Sequence, residues 1–267
     1  MPAIIVRRDN LSKSYIESVR EYIESKQAGP ATITVNVTEH CQLTCPYCPH
    51  GYDYVPQGSM DWRTALILIQ RIKESDFRGR VSISGNGEPT LWPYLMQFLQ
   101  ELPDTVDKQV ISNGVTEGFD FQELGKHCRL IISKHDKNAW LDVGDAIVRD
   151  CDPSSPGFDM KLTNRGGWLK AEEKNRGICS IPFYKMFIDY DGSYLLCCDD
   201  WLRKSRVKGW NIFEMGIDEY FYDKLRTRKQ ELATCGRVSE PCSRCTANGK
   251  VMGMNYVKAW REANESK

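Results

Sequence analysis

Residues 32–50 read Thr-Ile-Thr-Val-Asn-Val-Thr-Glu-His-Cys-Gln-Leu-Thr-Cys-Pro-Tyr-Cys-Pro-His and carry the strongest structural signal of the chain. The first six residues alternate polar and apolar side chains and are rich in β-branched types, a pattern that predicts a β-strand. Three cysteines follow, at Cys41, Cys45 and Cys48. Pro46 and Pro49 lack the amide hydrogen that a helix needs, so we expect the cysteines on a loop at the end of the strand.

The spacing of these three thiols indicates what they could bind. Three thiolates separated by three and two residues can hold three irons of a cubane cluster, which leaves the fourth iron open for chemistry. Electron-carrying ferredoxins use a different run, C-x2-C-x2-C-x3-C, to cap every iron. Zinc ribbons use paired C-x2-C motifs that close a tetrahedron. The spacing favours a cluster with one open iron, and a zinc site is the alternative.

The same run resembles the CxxxCxxC signature of the radical S-adenosylmethionine (SAM) enzymes. The resemblance implies a [4Fe–4S] cluster on Cys41, Cys45 and Cys48, with the amino and carboxylate groups of SAM on the open iron. It also implies that Tyr47, the aromatic residue before the third cysteine, lies against the adenine. In this family the reduced cluster gives one electron to SAM, and the resulting 5′-deoxyadenosyl radical abstracts hydrogen from an unactivated carbon.

The amino-acid composition narrows the number of domains, the kinds of partner and the cellular location that we expect. The 267 residues are 41% hydrophobic, enough to bury the core of one and a half to two domains. Lysine plus arginine and aspartate plus glutamate both number 36, so net charge does not argue for nucleic acid or an anionic membrane as partner. The apolar stretch at the start of the sequence is shorter than a signal peptide requires, and no apolar run approaches the ~20 residues of a membrane span. Eleven cysteines then favour metal or cluster ligation in a soluble cytoplasmic protein.

Strand and helix patterns alternate along the first two thirds of the chain. Predicted strands cover 32–37, 80–84, 108–112, 129–133 and 158–163, and predicted helices cover 11–26, 61–74, 92–102, 119–125 and 138–148. This repeat predicts an α/β fold with a parallel sheet. A complete eight-unit barrel needs about 250 residues, so we expect a partial (β/α)5–6 barrel. The predicted domains are an N-terminal helix (1–30), the partial barrel (31–166) and a small hairpin-plus-helix auxiliary domain (167–267).

Parallel sheets place their chemistry where the strands end, so the residues after each strand are candidate ligands. After the second strand, Gly85-Asn-Gly-Glu-Pro89 resembles the GGEP motif of the family, in which glycines let backbone carbonyls approach the ammonium of SAM. After the third, Ser112-Asn-Gly114 resembles the family's TNG, although an ordinary Asn-Gly turn has the same sequence. The resemblance implies a ribose contact for Ser133 and a carboxylate contact, with SAM or substrate, for Arg165. The predicted SAM-binding residues are Tyr47, Gly85, Asn86, Gly87, Glu88, Asn113, Ser133 and Arg165.

A second set of cysteines lies in the last third of the chain. Twelve residues separate Cys179 from Gly192, and four more separate Gly192 from Cys197. This spacing resembles the opening of the SPASM and Twitch domains that extend many radical SAM enzymes. Asp191-Gly192 also predicts a β-hairpin turn, which would bring the two cysteines together.

A distant C-x2-C pair would complete this second set. The resemblance implies an auxiliary [4Fe–4S] cluster held by Cys179, Cys197, Cys242 and Cys245. No cysteine follows Cys245, which favours the shorter Twitch form. A structural four-thiolate zinc site is the alternative. Cys128 and Cys151 are expected to be ordinary thiols, and the roles of Cys198 and Cys235 are left open.

The whole layout resembles radical SAM enzymes that oxidise a small molecule with the help of an auxiliary cluster. It implies a two-electron oxidation of a small-molecule substrate and an external one-electron donor such as flavodoxin or ferredoxin. Asp199 and Asp200 are candidates for a general base or for binding a cationic group, and a solvated turn is the alternative. A peptide- or protein-modifying radical SAM enzyme and a non-catalytic zinc or redox-sensing protein are the other hypotheses.

Overall fold

A seven-stranded sheet forms the centre of the protein, whose computed structural model describes residues 30–135, 143–152, 163–170, 177–250 and 253–265. The strands are β1 (Thr32–Val35), β2 (Arg80–Ile83), β3 (Asp107–Ser112), β4 (Arg129–Lys134), β5 (Ile147–Asp150), β6 (Lys185–Ile188) and β7 (Tyr194–Leu195). Their order in the sheet is β5-β4-β3-β2-β1-β6-β7. Strands β1 to β6 are parallel, and β7 runs antiparallel to β6. The expected α/β fold is confirmed.

Helices connect several of these strands, as the sequence pattern predicts. They are α1 (Trp62–Glu74), α2 (Leu95–Glu101), α3 (Phe121–His127), α4 (Ile181–Tyr184), α5 (Arg226–Thr234) and α6 (Met254–Glu265). Helix α1 begins where the Asp61 carboxylate accepts a hydrogen bond from the Thr64 amide at 2.7 Å, an N-cap that satisfies one of the unpaired amides of the first turn. None of the described helices combines the length and the apolar composition that crossing a membrane requires.

The central strands are buried, as expected for parallel strands covered by helices. All four residues of β1 and three of the four in β2 are buried. Their apolar side chains share one hydrophobic core with α1, α2 and α3. Side chains within these strands are thus committed to packing, so functional groups have to come from the loops where the strands end.

The chain after β4 departs from the sequence prediction. The pattern predicts a helix over 138–148, but Ile147 and Val148 lie in β5, which pairs in parallel with β4. That part of the prediction was wrong because β-branched side chains fit the pleated edge of a sheet better than a helix. The predicted helix over 11–26 and the predicted strand over 158–163 lie outside the described residues, apart from Thr163, which has no regular structure.

The β-hairpin expected around Asp191-Gly192 is present, and it extends the main sheet. Strand β6 lies beside β1, with Met186 opposite Ile33, and β7 pairs with β6. Gly192 has a φ of +81°, and a Cβ atom there would lie 2.9 Å from the Ile212 side chain, so the turn requires glycine. The sheet therefore continues from the predicted partial barrel into the region predicted as the auxiliary domain.

Candidate functional site

The three-cysteine loop begins directly after β1, at the carboxyl edge of the sheet. Cys41, Cys45 and Cys48 are all half-buried. The Cys48 amide donates a hydrogen bond to the Cys45 carbonyl at 3.0 Å, and the Gly51 amide donates to the Cys48 carbonyl at 2.9 Å. These turns, the second of which belongs to a short 3-10 helix at Pro49–Gly51, place the three cysteines outside any α-helix, as the flanking prolines predict.

The donor chemistry of this loop fits an iron–sulfur cluster. Burial is the main cause that raises the pKa of the Cys41 thiol to about 11, and the nearby Glu88, Cys48 and Cys45 contribute to that rise. Among the described residues, no three His, Cys, Asp or Glu side chains converge closely enough to hold a single metal ion. A cubane cluster is larger than one ion, so its thiolates stand further apart. Three neighbouring thiols on an open loop suit such a cluster.

The glycine loop after β2 lies against the residues that lead into Cys41. The Glu88 amide donates a hydrogen bond to the His40 carbonyl at 2.8 Å. A Cβ atom on Gly87 would lie 2.4 Å from the Thr38 carbonyl oxygen and 2.6 Å from that of His40. The Asn86 carbonyl contacts the His50 ring at 2.7 Å. The predicted SAM loop and the cysteine loop are therefore in backbone contact, and glycine at position 87 makes that contact possible.

Glu88 connects the glycine loop to the end of β3. Its carboxylate is 3% exposed and accepts hydrogen bonds from the Ser112 hydroxyl at 2.7 Å and the Asn113 amide at 2.8 Å. Thr90 donates to it as well. Burial raises the pKa of Glu88. Both oxygens of Glu88, a predicted SAM-binding residue, are thus engaged by the protein, and the carboxylate fixes the glycine loop to the end of β3.

Asn113 brings the β3 end to the first cysteine. Its Nδ2 atom lies 3.8 Å from the Cys41 Sγ atom, within range of a hydrogen bond to sulfur. Its Oδ1 atom accepts a hydrogen bond from the Val115 amide at 3.0 Å. The predicted strand-end residue therefore lies beside the predicted cluster ligand.

Tyr47 connects the cysteine loop to the far side of the sheet. Its side chain is buried, and its hydroxyl donates a hydrogen bond to the Cys151 carbonyl at 2.7 Å and contacts His135 Nδ1. Burial is the main cause that lowers the pKa of His135 to about 4, and the charges of Arg149 and Arg165 contribute to that fall. Near these groups, Ser133 accepts a hydrogen bond from Arg149 at 2.6 Å. No local sequence pattern indicates the contact between Tyr47 and the segment after β5, because the two are about 100 positions apart.

Arg165 and Asp199 form an ion pair between the two sets of cysteines. Arg165 Nη1 lies 3.6 Å from Asp199 Oδ1, which also accepts a hydrogen bond from the Thr163 hydroxyl at 2.8 Å. Arg165 Nε is buried and has no hydrogen-bond partner within the part of the chain that the structure describes. Burial raises the pKa of Cys48, and the charge of Arg165 opposes that shift, so this guanidinium faces the first cysteine loop.

Asp200 has a different role from its neighbour. Its carboxylate accepts hydrogen bonds from the backbone amides of Lys204 and Ser205, both at 2.8 Å, and from the Ser205 hydroxyl. Asp199 and Asp200 are 6% and 2% exposed. The expectation of a solvated turn was thus half correct: a turn is present, but its carboxylates are buried and hydrogen-bonded.

The four cysteines predicted as auxiliary ligands line one cavity. Cys179, Cys197, Cys242 and Cys245 face it together with Asp199 and Arg237. Burial raises the pKa of Cys242 to about 12 and that of Cys245 to about 11, and the neighbouring thiols contribute to both shifts. Four thiols that line one cavity, and that do not converge on a single-ion site within the described residues, suit a cubane cluster better than a zinc ion. Cys198 and Cys235 are exposed and do not line the cavity.

Arg237 is a functional candidate that the sequence did not mark. It is 5% exposed and donates to three backbone carbonyls that surround Cys179: Gly177 at 3.1 Å, Ala247 at 2.6 Å and Asn248 at 2.9 Å. Its charge opposes the rise that burial causes in the pKa of Cys179. A buried arginine thus holds the walls of the cavity and adds positive charge next to its thiols.

Comparison with known proteins agrees with this geometry. No family model matches the sequence. The chain is 28% identical over 233 residues to the S-adenosyl-L-methionine-dependent 2-deoxy-scyllo-inosamine dehydrogenase of Niallia circulans, across 80% of this chain and 91% of that relative. The crystal structure of BtrN in complex with AdoMet and 2-DOIA superposes with a TM-score of 0.70 and 24% identity, over 82% of this chain and 94% of BtrN. SuiB from Streptococcus suis, bound to the precursor peptide SuiA, superposes with a TM-score of 0.54 and 14% identity, over 85% of this chain and 73% of SuiB.

The likeness to BtrN shows the fold, a mostly parallel sheet of partial-barrel topology, and a three-cysteine loop follows its first strand. These are the features that the sequence resemblance to the radical SAM class leads us to expect. Within that class, its sequence is similar to the dehydrogenase from Niallia circulans. SAM and iron–sulfur clusters are characteristic cofactors of this class, and the cysteine loops described above fit them.

Proposed function

We propose that the chain is a radical SAM enzyme and that it oxidises a small polar molecule by two electrons. The observation that carries the proposal is the placement of two cysteine sites on one sheet, with the Arg165–Asp199 pair between them. Similarity to a 2-deoxy-scyllo-inosamine dehydrogenase supports oxidation over other radical SAM reactions. When bound, SAM and a cluster at the first site would supply radical chemistry for removing hydrogen from the substrate, and a cluster at the auxiliary site would supply an acceptor for the remaining electron.

The residues of the first site bind and orient these groups. Cys41, Cys45 and Cys48 hold the cluster with the open iron. Gly85, Asn86 and Gly87 present backbone carbonyls to the ammonium of SAM, and Glu88 fixes that loop to the end of β3. Asn113 and Ser133 lie at the ends of neighbouring strands, where the nucleoside would lie. The Tyr47 ring, held by its hydroxyl on the Cys151 carbonyl, provides an apolar face for the adenine.

The auxiliary site is formed by residues 167–267, which we treat as a Twitch-type domain after the partial barrel at 31–166. Cys179, Cys197, Cys242 and Cys245 hold its cluster. Arg237 keeps the walls of the cavity in place and balances part of the thiolate charge. The external electron donor of the first cluster is a flavodoxin or a ferredoxin.

The Arg165–Asp199 pair binds polar groups of the substrate. Oδ2 of Asp199 engages none of the described residues, so it is available to a hydroxyl or an ammonium group. Arg165 Nε is likewise available to an oxygen of the substrate or to the carboxylate of SAM. Asp200 is excluded from this role because its oxygens are committed to the turn that follows it.

Metal analysis and SAM cleavage test the proposal together. After anaerobic reconstitution we expect about eight irons and eight sulfides per chain. With dithionite and SAM, the protein should release 5′-deoxyadenosine, and Cys41→Ala should abolish that release while Cys128→Ala, which lies outside both sites, should retain it. Stoichiometric zinc without sulfide, or full activity of Cys41→Ala, would sink the proposal.

A further inference from the structure

A buried network of charges joins the two cysteine loops. Arg203 lies at its centre and donates from Nε to Asp189 Oδ2 at 2.6 Å and from Nη2 to Glu39. The Glu39 and Asp189 side chains are fully buried, and that of Arg203 is 16% exposed. Glu39 lies two positions before Cys41, and Arg203 lies six positions after Cys197. One guanidinium therefore joins the segment leading into the first site to the segment leaving the second.

Each end of this network is fixed to its cysteine loop by further hydrogen bonds. On the first side, Glu39 accepts hydrogen bonds from the Tyr54 hydroxyl at 2.5 Å and from the Gln57 amide at 2.7 Å, so it ties the two ends of the cysteine loop together. On the second side, the Asp200 amide donates to the Cys197 carbonyl at 3.2 Å, and the Arg203 amide donates to the Asp200 carbonyl at 3.0 Å. The backbone of Arg203 has a φ of +53°, which is unusual for a residue other than glycine. The turn after Cys197 therefore holds the Arg203 backbone in one conformation.

The network also reaches the glycine loop. Asp189 accepts a hydrogen bond from Asn36 Nδ2 at 2.9 Å, and Asn36 Oδ1 accepts one from the Asn86 amide at 3.0 Å. A continuous path thus leads from Asn86 through Asn36, Asp189 and Arg203 to Glu39. Every link is a hydrogen bond or an ion pair at the carboxyl edge of the sheet.

We propose that Arg203 is a positioning residue that couples the two cysteine sites, so that ordering the turn after Cys197 also orders the loop of Cys41, Cys45 and Cys48. The inference deepens the proposed function, since it takes these two loops as the cofactor-binding loops. An arginine suits this task because its planar fork donates to two carboxylates at once, whereas a lysine ammonium is a single point of charge. Loss of the fork would separate the loops and leave two carboxylates buried without their shared partner.

Hydrogen–deuterium exchange of the reconstituted protein tests the coupling without any substrate. We expect Arg203→Lys, which keeps the charge, to raise amide exchange in residues 39–58 and 197–206 by roughly tenfold while β2 to β4 stay unchanged. Arg206→Met is the matched control, because Arg206 also binds Asp189, at 2.9 Å, but does not reach Glu39. It should raise exchange in residues 189–206 and leave residues 39–58 as in the wild type.

A second measurement follows the coupling from the other end. Cys197→Ala alone should raise amide exchange in residues 39–58, because coupling between two sites is reciprocal. In a protein that already carries Arg203→Lys, adding Cys197→Ala should cause no further rise in the exchange of residues 39–58. Unchanged exchange in residues 39–58 for Arg203→Lys, or a rise spread evenly through the sheet, overturns the inference. SAM affinity, measured by equilibrium dialysis, separates the two proposals. Absence of SAM binding by the wild type contradicts the proposed function, while the exchange pattern still decides the role of Arg203.

Discussion

Gly87 is the position where a single added methyl group should disturb the SAM site most. A Cβ atom there would lie 2.4 Å from the Thr38 carbonyl oxygen, 2.6 Å from the His40 carbonyl oxygen and 2.8 Å from the carbonyl carbon of Glu39. All three are backbone atoms, which cannot rotate away as the end of a side chain can. To restore an ordinary contact of 3.4 Å, the glycine loop has to move by about 1 Å from the segment that leads into Cys41.

That movement should lower both the stability of the fold and the rate of SAM cleavage. Overpacking of this kind costs about 1–3 kcal/mol of stability. A displacement of about 1 Å in a reacting geometry lowers rates by up to about 100-fold. We therefore expect Gly87→Ala to lower 5′-deoxyadenosine release by roughly 10- to 100-fold, measured under anaerobic conditions with dithionite and saturating SAM.

Gly125 provides the matched control. It lies in helix α3, and a Cβ atom there would meet nothing within 4 Å. Gly125→Ala should leave SAM cleavage unchanged and stabilise the protein by about 0.5–1 kcal/mol in urea unfolding, because alanine restricts the unfolded chain. If Gly87→Ala cleaved SAM at the wild-type rate and unfolded at the wild-type urea concentration, the close approach of the two loops would be refuted.

Three further predictions follow from single side chains. Tyr47→Phe removes the hydrogen bond to the Cys151 carbonyl and should weaken SAM binding by about tenfold. Tyr52→Phe changes an exposed ring in the same loop and should leave SAM affinity unchanged. Equal affinities of the two variants for SAM would exclude an orienting role for the Tyr47 hydroxyl. Arg237→Met removes a buried positive charge beside Cys179, so spectroscopic titration should show a more negative reduction potential for the auxiliary cluster; a potential unchanged from the wild type would contradict this role. Burial lowers the pKa of Lys229 to about 7, so the folded protein loses this proton at a lower pH than the unfolded chain does. The free energy of unfolding of the wild type should therefore rise between about pH 7 and pH 10. Lys229→Met should flatten that rise in urea unfolding, and a parallel pH dependence for both proteins would show that the lysine keeps its charge when buried.

The sequence predicts the parts of this site that depend on local pattern. The strand before Cys41, the helix predicted over 61–74 and the hairpin turn at Gly192 are each encoded by a few consecutive residues, and the structure contains all three. The cysteine spacings likewise predict two groups of thiols, because the types and intervals of the ligands restrict the chemistry.

The remaining features depend on contacts between distant segments. The first two residues of β5, Ile147 and Val148, were predicted as the end of a helix because a short apolar run fits both periods, and pairing with β4 decides between them. Glu39 and Arg203 are 164 positions apart, so no local pattern could indicate their ion pair. The burial of Asp199 and Asp200 similarly results from the packing of residues 163–166 and 203–205 around them, which an Asp-Asp dipeptide in the sequence does not reveal.

Iron and sulfide counts in two complementary variants test the central claim most directly. One variant replaces Cys41, Cys45 and Cys48 with alanine, and the other replaces Cys179, Cys197, Cys242 and Cys245. Each should retain about four irons and four sulfides after reconstitution, because each keeps one complete set of thiolates. The second variant should still release 5′-deoxyadenosine from SAM, and the first should not. Release of 5′-deoxyadenosine by the first variant, or zinc in place of iron and sulfide in both, would contradict the account.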